Sequence, residues 1–81
     1  MKKSNISLKL IELRKAKKLS LNSVCKETGI SIDVLKDIES SKVTPSWEQV
    51  RELATIYDFS DEYLICLLIS DAAVKIDMND I

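Results

Sequence analysis

The side chains best suited to recognition chemistry fall on one short segment. Ile32, Asp33, Lys36 and Asp37 recur at the spacing that puts them on a single outward helix face. Their types suit the edges of base pairs: a carboxylate accepts from a cytosine amino group, a lysine donates to guanine, and an isoleucine packs on a thymine methyl. Groups suited to phosphate flank them: Asn22, Ser23, Ser31, Lys42 and Thr44, with the basic cluster Arg14, Lys15, Lys17 and Lys18. Structural roles compete at several of these positions. Asp33 in a first turn favours the helix dipole, Ile32 packs on the preceding helix, and Glu39 suits a hydrogen-bonding post at a helix end rather than a base contact.

Other chemistries find little footing. The chain has no histidine and two cysteines, Cys25 and Cys66, far apart and inside apolar helical patterns. That excludes a zinc set of short-spaced ligands and reads as reduced core thiols of a cytoplasmic protein. No nucleophile, base or metal group clusters, so neither an enzyme nor a cofactor or small-molecule site is expected. Lys2 and Lys3 are not followed by an apolar run, which argues against a signal peptide, and the stretch Tyr63 to Ile69 is too short to cross a bilayer.

The elements that would hold this face are short helices. With 81 residues, 46% hydrophobic, and a single Gly and a single Pro, the chain reads as one all-α domain, residues 1–81, since turn-rich β chains need more of both turn formers. Its core spans about 7–69, leaving a tail at 70–81. A first helix runs from Ser7 to Lys17 with Leu10 and Leu13 on one side. Ser20 caps a second, Leu21 to Thr28, whose face is Leu21, Val24, Cys25 and Thr28. Gly29 terminates it, Ile30 plugs the turn, and Ser31 caps a third helix from Ile32 to Ser40 with Leu35 and Ile38 inward. After a loop from Ser41 to Pro45, Ser46 and Gln49 form a capping box for a fourth, Trp47 to Tyr57, burying Val50, Leu53, Ala54 and Tyr57. Ser60 caps a fifth, from Asp61 to Ile69 or beyond. Trp47 is read as a core or interface anchor, and Tyr57, Phe59 and Tyr63 as core around the fourth and fifth helices. Residues 74–79 alternate apolar and polar, so the tail is either a short strand or extended segment or a continuation of the fifth helix.

The charge is lopsided. The net is −1, but residues 1–42 hold ten Lys/Arg and five Asp/Glu, while residues 43–81 hold two and eight. Such a split assigns one face to phosphates and another to something else. Apolar residues late in the chain exceed what one narrow helix face buries. A homodimer interface is therefore expected at Leu64, Leu67, Leu68, Val74, Ile76 and Met78.

Two short helices around a tight Gly turn, the second presenting Ile32, Asp33, Lys36 and Asp37, have the spacing of a helix-turn-helix. Over about residues 8–65 the chain resembles the lambda-repressor and Cro-like helix-turn-helix family, the xenobiotic-response-element family of bacterial and phage regulators. The resemblance rests on Leu13-Arg14, Leu19-Ser20, Gly29-Ile30-Ser31, Ile38-Glu39, Pro45-Ser46 and Phe59-Ser60 before Leu64, in order and without a gap. It implies five helices and a transcriptional regulator, a repressor, that binds a palindromic operator in double-stranded DNA as a dimer. Three features depart from the family pattern. Leu21 stands where a phosphate-contacting Gln is usual, and Ser41 where a loop Gly is usual. The third helix carries Asp33, Asp37 and Glu39 against the single Lys36. These departures support an alternative: a degenerate helix-turn-helix module that has lost DNA binding and engages a regulatory protein partner.

Overall fold

Five serines mark where the helices begin. The side chains of Ser4, Ser20, Ser31, Ser46 and Ser60 each accept from the amide three residues on. Each satisfies a donor that the helix itself cannot, worth about 1 kcal/mol. The computed structural model describes residues 3–79, and the side chains of residues 3–72. Its helices are α1 (Asn5–Ala16), α2 (Leu21–Thr28), α3 (Ile32–Glu39), α4 (Trp47–Ile56) and α5 (Asp61–Asn79). At α4 the expected capping box forms: Gln49 Oε1 accepts from the Ser46 amide at 2.9 Å while Ser46 Oγ accepts from the Gln49 amide at 3.1 Å.

The first four helices each end in a left-handed residue, at Lys18 (φ 58°), Gly29 (φ 79°), Ser41 (φ 67°) and Asp58 (φ 53°). Only at Gly29 is that conformation free of steric cost. Ser41 adopts it at the position where the sequence comparison expected a loop glycine.

The core is one cluster: Ile6 and Leu10 from α1, Val24 from α2, Ile30 in the turn, Leu35 and Ile38 from α3, Val50, Leu53 and Ala54 from α4, Tyr57 at its end, and Leu64 and Leu68 from α5. These are the inward faces expected for the third and fourth helices; of the face expected for the second, Val24 is buried while Leu21, Cys25 and Thr28 are half-buried. α1 packs on α3 and α5, α2 on α3 and α4, and α4 on α5. α1 starts two residues earlier than its periodicity suggested, which buries Ile6 and places Ser7 inside, where its hydroxyl donates to the Ile38 carbonyl at 2.6 Å.

Of the two conformations expected beyond Ile69, the structure takes the helical one. α5 continues as one helix to Asn79, so the alternation at 74–79 is not a strand. A strand needs a ladder partner, and among the described residues every regular element is a helix. Leu64 and Leu68, expected at a dimer interface, lie one helical turn apart on the stripe that α5 packs into the core, and Leu67 is half-buried against that core. The side chains of Val74, Ile76 and Met78 fall outside the described residues. Among the described residues, the large apolar side chains α5 leaves in solvent are Tyr63 and Ile69, each about half exposed. Trp47 and Tyr63 are not core residues. Trp47 is 55% exposed at the start of α4, and Tyr63 meets Phe59 edge-on, ring centroids 5.4 Å apart, with the Lys9 ammonium 5.0 Å from the Phe59 ring centre.

Candidate nucleic-acid interface

α3 is held from three sides, which fixes what it can present. Leu35 and Ile38 point into the core, and Val24 and Ile30 close the turn beneath them. At its C-terminal end the Ser7 hydroxyl and the Lys3 ammonium donate to the carbonyls of Ile38 and Glu39. The face left over is the one expected: Asp33 and Lys36 are exposed, and Ile32 and Asp37 are half-buried at its margins. Among the described residues the side chains of Asp33, Lys36 and Asp37 have no hydrogen-bond or ion-pair partner within the chain.

The backbone-contacting candidates surround this face. Asn22 is exposed in the first turn of α2 and Ser23 beside it is half-buried, its hydroxyl accepting from Ser20 Oγ at 3.1 Å. Ser31 is exposed but already serves as the α3 cap. Lys42 and Thr44 are exposed in the loop after α3, where the Asp37 carbonyl accepts from the Lys42 amide at 2.9 Å and shapes the turn. Lys15, Lys17 and Lys18 are exposed where α1 ends.

Arg14 departs from that set. Its Nε and Nη2 donate to the two Glu39 oxygens at 2.7 and 3.0 Å, and Nη1 donates to the Leu19 carbonyl at 2.9 Å. The two side chains are only 16% and 13% exposed. A planar guanidinium matches a carboxylate in this forked geometry better than any lysine could, so Arg14 faces inward and is not available to a phosphate. The pair ties the end of α1, next to the basic turn Lys15–Lys18, to the end of α3. Glu39 fills the structural post expected of it. The hydrogen bond to Glu39 is the main cause that holds the Arg14 guanidinium above its ordinary pKa. Nearby, burial first and the Glu39 charge second push the Tyr57 phenol up to about 12.

Sequence reasoning missed Val43 and Trp47 as exposed apolar neighbours of Lys42 and Thr44. Val43 lies in the loop after α3 and Trp47 opens α4, and both side chains turn to solvent. Among the described residues no group of acidic, cysteine or histidine side chains is placed to hold a metal ion, and no helix is long and apolar enough to cross a membrane.

A family model described as a helix-turn-helix domain matches residues 7–64. No curated protein and no solved structure matches the chain.

Proposed function

The chain belongs to the helix-turn-helix domain family, and from that premise we propose that it is a sequence-specific regulator of transcription, a repressor of the lambda-repressor and Cro-like kind, that lays α3 in the major groove of duplex DNA. The observation that carries this reading is the outward face of α3, exposed at Asp33 and Lys36 and without partners in the chain for either side chain among the described residues. Lys36 donates to guanine O6 or N7, Asp33 accepts from a cytosine amino group, and Ile32 and Asp37 bound the contact. Lys15, Lys17, Lys18 and Lys42 neutralise phosphates, with Asn22, Ser23, Ser31 and Thr44 as polar contacts.

A single such face reads only a few base pairs, so the operator is palindromic and the protein binds as a homodimer. The α5 surface carrying Tyr63, Cys66 and Ile69, all exposed, is the interface, in place of the buried Leu64 and Leu68. In that arrangement an oxidant cross-links the Cys66 thiols of two copies and Cys66→Ser abolishes the cross-link; sedimentation as a monomer at micromolar concentration overturns it.

Two variants test DNA recognition. Lys36→Ala loses about 1–3 kcal/mol of discrimination at one base pair. Lys42→Ala weakens all duplexes alike and flattens the salt dependence by about one phosphate. Equal effects of the two variants on every sequence would overturn the assignment of α3 as reader. The carboxylates of Asp33 and Asp37 favour a second reading, a module that meets a basic protein surface with the same face; failure to retain any duplex at low salt would select it.

A further inference from the structure

The N-terminus of α1 is capped from the far end of the chain. Asp71 on α5 accepts from the Asn5 amide through one carboxylate oxygen and from the Ile6 amide through the other, both at 3.2 Å. α1 has no acidic residue in its own first turn, so Asp71 supplies the negative charge that the helix dipole favours there. The adjoining residue, Ser4, donates its amide to Ser41 Oγ at 2.9 Å. Ser41 opens the loop that carries Lys42 and Thr44, and holds a left-handed φ of 67°. A cavity of about 140 Å³ lies at this junction, lined by Ser4, Ser41, Val43, Thr44, Leu68 and Asp71 among others. α5, the start of α1 and the DNA-side loop thus meet around one small void.

We propose that Asp71 is a latch that couples α5 to the α3–α4 loop, so that displacement of α5 at this point loosens the loop and weakens its grip on DNA. The consequence for DNA rests on the function proposed above; the coupling itself does not. The relay has two links: Asp71 holds the first amides of α1, and the Ser4 amide of that same turn holds the Ser41 hydroxyl. When Asp71 lets go, the first turn of α1 frays and Ser41 loses its fixed donor. Among the described side chains, the cavity between Val43 and Leu68 leaves the loop room to move inward.

The test is residue-resolved amide hydrogen exchange on the full chain, comparing wild type with Asp71→Ala, Asp71→Asn and Ser41→Ala. Asp71→Ala is expected to speed exchange at Asn5 and Ile6 and, through the relay, at Lys42 and Val43, each by about tenfold, while Val24, Leu35 and Leu53 keep their protection. Asp71→Asn, with one acceptor oxygen left, falls between. Ser41→Ala cuts the relay at its second link, speeding the loop without changing Asn5 and Ile6. Loop exchange that stays at the wild-type rate in Asp71→Ala while Asn5 and Ile6 open would overturn the coupling, as would a uniform acceleration at every core amide. Because exchange is read without DNA, the latch stands or falls separately from duplex binding. If the wild type binds duplex, Asp71→Ala also lowers affinity several-fold; unchanged affinity alongside a loosened loop would refute the loop's part in binding.

Discussion

Replacing Glu39 with alanine should be the most damaging single change outside the apolar core. Arg14 would keep its bond to the Leu19 carbonyl at 2.9 Å and lose both carboxylate bonds, at 2.7 and 3.0 Å. The guanidinium side chain is 16% exposed, so water reaches it poorly and the charge is left under-solvated. Breaking a well-buried pair by removing one partner costs about 3–5 kcal/mol. Partial exposure at the rim brings the expectation here to about 2–4 kcal/mol. Each kcal/mol moves the melting temperature of a domain this size by about 4–8 °C, so a fall of roughly 8–32 °C is expected. Thermal unfolding followed by circular dichroism measures the fall, and urea unfolding the free energy. The double variant Arg14→Met/Glu39→Leu, which removes both charges and keeps the volume, should recover most of the loss. A Glu39→Ala cost below about 0.5 kcal/mol, the range of an ordinary surface substitution, would refute the claim that this pair locks α1 to α3. A double variant no better than the single would refute the burial argument behind it.

Two further expectations concern stability. Tyr57 is buried with its pKa raised to about 12, above its unfolded value of about 10. Its contribution is fully present below pH 10 and is lost as pH rises from 10 to 12, because the unfolded chain gives up the proton first. Alkaline unfolding in that window, with Tyr57→Phe removing much of the slope, is the check. Lys18 pays for a left-handed turn at φ 58°; Lys18→Gly should raise stability by about 0.5–1 kcal/mol in urea titration, and a loss of stability would contradict the strain.

Local chemistry made most of the fold legible. Serines at 20, 31, 46 and 60 announced helix starts because a hydroxyl at that position has one good use, and Gly29 announced a stop because nothing else there is free of strain. Where the signal was ambiguous, the sequence reading stayed open or erred for identifiable reasons. The alternation at 74–79 is equally compatible with a helix that has no single buried face, and only the lack of a strand partner decides. Arg14 looked like one basic residue among four neighbours. Nothing local says that Glu39, 25 positions on, accepts its guanidinium. Leu64 and Leu68 were indistinguishable by type from exposed apolar residues, because which stripe of a helix is buried depends on its packing angle. The cap that Asp71 makes on α1 left no local trace, since its partners lie 66 and 65 residues away.

The central claim, that the face of α3 reads duplex DNA, is tested most directly by selection from a randomised duplex pool, titrated at two salt concentrations. Four lysines on the phosphate side predict a fall in log affinity with log salt of slope about −3 to −4 per protomer. They also predict enrichment of a palindrome whose half-sites lie about ten base pairs apart, or a multiple of that. Retention of no sequence at low salt, or binding with no enriched site, would contradict the claim.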